Sequence, residues 1–238
     1  MRALFGILGF VALVAPAAWA DQWDDIRFDS LTDGQYSISS GTGFFVAPHI
    51  IVTNEHVVQK CTNIAVRGSI EPTKAHLLSV DKELDLALLH VQPRQVDDVT
   101  LTLKSQIGLD DMIYIAGYPL DRAYSGRYIV RTASVVNLVY AGVDNFQFIE
   151  FTDMVEQGHS GSPILDTGGN VVGIVTSKVT YKLGSKLYSL SRGIDVSALA
   201  WFLQRNRVEF NISKTGQSSK SLNKIERYIV NIHCIKEA

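Results

Sequence analysis

From Tyr36 onward the chain breaks into short apolar segments rich in Ile, Val, Phe, Tyr and Leu, each bounded by Gly, Asp, Asn or Pro. They occupy residues 43–46, 50–53, 64–67, 75–80, 86–91, 112–117, 128–138, 146–151, 171–176 and 186–190. Runs of this length and spacing suit strands, and none sustains the apolar repeat of a helix, so the expected fold class is all-β, a sandwich or a barrel. Residues 195–205 break the pattern. There Val196, Leu199, Ala200 and Leu203 recur at helical spacing, and Trp201 and Phe202 widen the apolar face, which predicts a short helix packed on the β core. Residues 211–221 are polar and rich in Lys and Ser, the composition of a linker, while 222–235 fits helix and strand templates equally.

Composition permits a substantial core, with 46% hydrophobic side chains in 238 residues. The net charge of −2 arises from acids and bases scattered along the chain, which gives no nucleic-acid footprint and no polybasic membrane patch. Residues 1–20 carry one basic residue, Arg2, then an apolar stretch from Ala3 to Val14, a break at Pro16 and the small-x-small ending Ala18-Trp19-Ala20. This is the pattern of a cleaved secretory signal, too short in its apolar run to span a bilayer, so the expected mature chain starts near Asp21 with no stable membrane anchor. Export would put Cys61 and Cys234 in an oxidising compartment, where they can pair; two separate buried thiols are the other reading.

Three stretches carry chemistry. In Gly158-His159-Ser160-Gly161-Ser162-Pro163 a serine stands between glycines, so a tight turn can present its hydroxyl and aim neighbouring N–H groups at one point, as an oxyanion hole requires. In Ile51-Val52-Thr53-Asn54-Glu55-His56-Val57-Val58 a histidine follows the end of a strand. In Asp81-Lys82-Glu83-Leu84-Asp85-Leu86-Ala87-Leu88-Leu89 an acid abuts a strongly apolar strand, where its carboxylate needs a hydrogen-bond donor; Asp81 competes, but only Asp85 touches the apolar run directly. Together they supply a base, an orienting carboxylate and a nucleophile in the order His56, Asp85, Ser160, separated by 29 and 75 residues. His49, His76, His90, His159 and His233 have no such context and receive no role.

The stretches T-N-E-H-V-V, D-L-A-L-L and G-H-S-G-S-P resemble the chymotrypsin-like serine endopeptidases. Within them the chain is most similar to the bacterial secreted branch, including high-temperature-requirement-type protease domains, through G-T-G-F-F-V, Ala116-Gly117-Tyr118-Pro119 and Thr152-Asp153. The resemblance covers about Ser37 to Leu203. It implies two antiparallel β-barrels with a short C-terminal helix, the barrels dividing near 120–127, in a protease domain over 36–207 without a PDZ domain. An N-terminal extension at 21–35 would precede it, and a polar linker and tail at 208–238 would follow.

The implied activity is a secreted, periplasmic or extracellular serine endopeptidase acting on polypeptides without a cofactor or metal. His56, Asp85 and Ser160 would be catalytic, and the backbone N–H groups of Gly158 and Ser160 would form the oxyanion hole. By the same resemblance the substrate pocket is built from Met154, Thr176, Ser177, Lys178 and Gly193, where Met154 favours a medium apolar side chain and Lys178 an acidic one. Two departures stand at the turn: His159 where the family has Asp or Asn, and Ser162 where a second Gly is common. A lipase-type hydrolase is disfavoured because G-x-S-x-G and its Ser-acid-His order are missing. The rival of a different class is a catalytically inactive protease-fold binding protein or chaperone-like module.

Overall fold

The computed structural model describes residues 36–92, 107–120, 126–142, 145–152, 155–210 and 225–237. In chain order these form β1 (Tyr36–Ala47), β2 (Ile50–Thr53), α1 (Glu55–Val58), β3 (Asn63–Gly68), β4 (Thr73–Asp81), β5 (Leu86–Val91) and β6 (Met112–Gly117). There follow β7 (Ile129–Ala141), β8 (Phe146–Phe151), β9 (Pro163–Leu165), β10 (Val171–Leu183), β11 (Lys186–Asp195), α2 (Val196–Arg205) and β12 (Ile229–Glu237). The strands close into two antiparallel barrels, ordered β1-β12-β3-β4-β5-β2 and β10-β11-β8-β7-β6-β9, as the all-β expectation required.

The continuous apolar runs follow from burial on both faces. Successive strand residues point to opposite sides, so Phe45, Ile51, Ala87 and Leu89 fill the first barrel, while their neighbours Phe44, Val52, Leu86 and Leu88 pack outside it. In the second barrel Val172 and Val175 point inward with Ile113, Ile149 and Ile164, and Val171 and Ile174 point outward. The outward sets of both barrels meet in one cluster that also receives Val196, Leu199, Phe202 and Leu203 of α2. That helix begins at Asp195, whose carboxylate accepts the Ser197 N–H at 2.7 Å.

Three expectations change. Residues 208–238 are not simply a linker and tail: 229–237 form β12, inserted between β1 and β3, so the domain continues past 207. The segment was ambiguous because its alternation includes the fully buried polar residues Asn231 and His233; a partner 191 residues away, the Ser40 hydroxyl donating to Asn231 Oδ1 at 2.8 Å, is what makes the polar position tolerable. The barrels also divide earlier than 120–127, because β6 already pairs with β7 and β9 of the second barrel. Finally, β10 runs seven residues past the expected end at 176, to Leu183. Ser177, Lys178, Thr180 and Lys182 interrupt its apolar pattern because this part of the strand is exposed.

Cys61 and Cys234 form a disulfide that joins the residues after α1 to β12, with Cα atoms 5.3 Å apart. No helix among the described residues is long and apolar enough to cross a membrane.

Candidate active site

The pairing of β2 with β5 sets Thr53 opposite Ala87, which brings the residues after β2 and those before β5 to the same end of the first barrel. Asp85 takes a left-handed φ of 55°, unusual for a residue with a Cβ, and the surroundings hold it there. Its carbonyl accepts Asn54 Nδ2 at 2.9 Å and the Glu55 N–H at 3.2 Å. Its carboxylate accepts twice from His56: the backbone N–H at 3.0 Å, and ring Nδ1 at 2.7 Å. With Nδ1 so engaged, Nε2 is the nitrogen left to exchange a proton. Asp81 does different work, accepting the N–H groups of Glu83 and Leu84 in the turn between β4 and β5.

The serine turn is directed carbonyl by carbonyl. Gln157 O accepts the Leu120 N–H at 2.8 Å, Gly158 O accepts Thr42 Oγ1 at 2.7 Å, His159 O accepts the Ser162 N–H at 2.9 Å, and Ser160 O accepts the Thr42 N–H at 2.8 Å. In a trans peptide the N–H points opposite to the preceding carbonyl. The bonds to Gln157 O and His159 O therefore turn the N–H groups of Gly158 and Ser160 away from Leu120 and Ser162. Among the described residues neither N–H donates to a backbone acceptor in a turn or loop. Glycine is required at two points of the turn: Gly158 has φ 97° and Gly161 φ 84°, and a Cβ on Gly158 would run into the Tyr118 carbonyl.

The turn is seated against the element that carries His56. Gly41 of β1 lies between them, since a Cβ there would stand 2.6 Å from the Val57 side chain and 3.3 Å from the Ser160 carbonyl. On the other side, Gly161 N–H donates to Val175 O and Val175 N–H to Ser162 O, each at 2.9 Å, which joins the turn to β10. His159 is fully buried, its Nδ1 3.3 Å from Glu156 O, and its ring lies against Gly117 inside the protein.

Thr42 was missed in the sequence, where it reads only as the middle of Gly41-Thr42-Gly43. Fully buried, it bonds through all its polar atoms: besides the two bonds above, Oγ1 accepts the Tyr118 N–H at 2.9 Å and its carbonyl accepts Thr53 Oγ1 at 2.7 Å. The signal for it was a polar side chain between two glycines directly ahead of the apolar run Phe44-Phe45-Val46.

Of the expected pocket residues, Thr176 is buried and donates to Arg192 O at 3.3 Å, while Ser177 and Lys178 are exposed. Gly193 faces the interior of the second barrel, where a Cβ would meet the Ile174 carbonyl at 2.6 Å, and its missing side chain makes room for Ile164. Met154 lies outside the described residues.

The model of the trypsin-like peptidase domain matches residues 41–174, more than half of the chain. The chain belongs to this family. Among curated proteins it is 28% identical to serine protease Rv3671c of Mycobacterium tuberculosis over 67% of this chain and 41% of that one. It is 30% identical to a probable periplasmic serine endoprotease, DegP-like, of Hahella chejuensis over 68% of this chain and 35% of that one. It thus spans less than half the length of these trypsin-like relatives. Among solved structures, the active form of the Mycobacterium tuberculosis Rv3671c protease superposes with a TM-score of 0.59 at 20% identity, over 81% of this chain and 88% of that one. The HtrA-type protease AlgW with decapeptide gives 0.57 at 22% identity, over 69% and 50%. At these identities the structural likeness speaks for the fold.

Proposed function

We propose that this trypsin-like domain is a serine endopeptidase that cleaves polypeptides through a covalent acyl-enzyme. The observation that carries the reading is the double engagement of Asp85 with His56, through the backbone N–H and Nδ1, beside a serine turn in which, among the described residues, neither the Gly158 nor the Ser160 N–H donates to a backbone acceptor in a turn or loop. In the first half-reaction Ser160 Oγ attacks the scissile carbonyl while His56 Nε2 takes the hydroxyl proton. Asp85 holds Nδ1–H, which fixes the tautomer and stabilises the imidazolium. The N–H groups of Gly158 and Ser160 donate to the oxyanion, a contribution of about 3 kcal/mol for one such donor. The tetrahedral intermediate collapses as His56 returns the proton to the leaving amine. Water then attacks the ester, giving its proton to His56, and the second collapse frees the carboxyl product and restores the serine hydroxyl.

Met154, Thr176, Ser177 and Lys178 are the residues proposed to meet the side chain before the cleaved bond. A periplasmic or extracellular location is supported by the signal-like residues 1–20, the disulfide, and the DegP-like relatives named as periplasmic. The deciding experiment is labelling by a fluorophosphonate probe: wild type should label and Ser160→Ala should not, with both equally folded by circular dichroism. Equal labelling of the two proteins, or none of wild type, would reject Ser160 as the nucleophile.

A further inference from the structure

Asn54 stands at the position from which a side chain caps α1, and it makes no capping bond there. An N-cap oxygen ordinarily accepts the N–H of the second or third helical residue. Here the second helical N–H, that of His56, goes instead to Asp85 Oδ1 at 3.0 Å. The Asn54 side chain turns the other way, and its Nδ2 donates to the Asp85 carbonyl at 2.9 Å. A carbonyl only accepts, so the amide nitrogen is the end that faces it. The two residues thus exchange tasks: the Asp85 carboxylate caps the helix that carries His56, and the Asn54 amide holds the backbone of Asp85.

Two features of this exchange are unfavourable for stability. Asp85 carries a Cβ in the left-handed region, at φ 55°, and such a conformation persists where neighbouring groups enforce it. Asn54 is fully buried, and among the described residues its Oδ1 accepts no hydrogen bond. A buried amide with one end unsatisfied is a poor choice for stability alone. The hydrogen bond that its other end makes is aimed at the strained residue that meets His56.

The backbone of Asp85 is the lever that aims its carboxylate. Its carbonyl is held from two sides, by Asn54 Nδ2 and, less closely, by the Glu55 N–H at 3.2 Å. With the carbonyl so fixed, one carboxylate oxygen meets the His56 N–H and the other meets ring Nδ1 at 2.7 Å. Relaxation of φ to the ordinary negative range would swing the Cα–Cβ bond and draw the carboxylate off Nδ1. Thr53, the residue before Asn54, is turned toward the serine side: its Oγ1 donates to Thr42 O at 2.7 Å, and the Thr42 N–H holds Ser160 O. The end of β2 therefore ties the nucleophile turn through Thr53 and the orienting acid through Asn54.

We propose that Asn54 is a positioning residue for the reaction: its amide clamps Asp85 in the left-handed conformation that sets the carboxylate on His56 Nδ1. This rests on the proposed roles of His56, Asp85 and Ser160. Asn54 is buried and meets no substrate, so its removal lowers the rate of the chemical step and leaves binding unchanged. It reaches His56 through Asp85, so its effect disappears once residue 85 has no carboxylate to aim.

The test is a double-variant cycle on the full chain, read by the kinetics of fluorophosphonate labelling, which separate the limiting rate from the probe concentration that gives half of it. Asn54→Ala and Asn54→Leu, the second close to asparagine in volume, should each lower the limiting rate about 10- to 100-fold. The half-saturating concentration should stay within about twofold. Asp85→Asn alone should cost about a thousandfold or more. Adding Asn54→Leu to Asp85→Asn should cost less than about threefold further, whereas independent damage to the fold would multiply the two losses. Multiplying losses, a full limiting rate in Asn54→Leu, a change confined to the half-saturating concentration, or loss of cooperative melting in both Asn54 variants would overturn the clamp. Labelling that is undiminished in Asp85→Asn, or absent in wild type, would instead reject the catalytic roles on which the clamp rests. A strongly impaired Asp85→Asn beside an unimpaired Asn54→Leu would reject the clamp and leave those roles standing.

Discussion

Thr42 is the residue on which the geometry of the serine turn most depends. Its hydroxyl donates to Gly158 O and accepts from Tyr118 N–H, while its N–H holds Ser160 O. Thr42→Val keeps the shape and removes the hydroxyl, leaving the Gly158 carbonyl buried without its donor. Stability should fall by about 1–3 kcal/mol, and kcat/KM toward a peptide substrate by about 10- to 100-fold as the turn relaxes; Thr42→Ser should recover most of both. Urea unfolding and steady-state kinetics on the three proteins check this. His233 predicts a pH dependence. Burial, with the Arg67 charge, lowers its imidazole from 6.5 to about 4. Between these values the unfolded chain binds the proton and the folded chain does not, so stability falls as pH drops from 6.5 to 4, by at most about 3 kcal/mol, and this group adds nothing further outside that window. Glu150 acts in the same direction at lower pH. Burial raises its carboxyl, but hydrogen bonds from Tyr181, Arg192 and Asn137 and the Arg192 charge bring it below its ordinary value, and that stabilisation is lost as the pH falls through the lowered value. His233→Gln should therefore reduce the slope of unfolding free energy against pH without abolishing it.

At the scale of elements, β12 decides whether the first barrel exists. It pairs with β1 from Tyr36 to Phe44 and with β3 from Asn63 to Gly68, so its removal exposes two strand edges at once and opens the interior packed by Val230 and Ile232. A chain ending at residue 224 should lose cooperative unfolding and be digested rapidly by added protease, although every candidate catalytic residue is retained. Native circular dichroism and cooperative melting of the truncated chain would contradict this. The arm of β10 and β11 over residues 177–189 is the opposite case. It is exposed apart from Val179, and Tyr181 ties it to the barrel by donating to Glu150 Oε1, which Arg192 also holds.

Over the whole molecule, the two barrels are joined along the shared apolar cluster that α2 covers, and the Cys61–Cys234 disulfide spans 173 residues. A loop of that length loses much conformational freedom in the unfolded chain when bridged, an effect of about 5 kcal/mol by loop-closure entropy alone. Cys61→Ser should lower stability by about 2–5 kcal/mol, and Cys234→Ser by a similar amount; reduction of wild type should reproduce the loss, and the double variant should lose little more than either single one. Denaturant unfolding with and without reductant measures all of these.

Much of this was legible in the chain because it is local or strictly periodic. Short apolar runs between turn residues determined strands, 3.6-residue spacing determined α2, and the glycines around Ser160 determined a tight turn, since each depends on backbone geometry within a few residues. Asp85 could be preferred over Asp81 from its contact with the apolar run alone. What lay beyond reach depends on partners distant in sequence. The strand character of 229–237 appears only when β1 and β3 supply hydrogen bonds, the tasks of Thr42 only when the serine turn folds onto β1, and the interior position of Gly193 only when Ile164 packs against it. The length of β10 was hidden for a related reason: a strand with no sheet packed over it needs no apolar pattern, so its extent is decided by its pairing with β11.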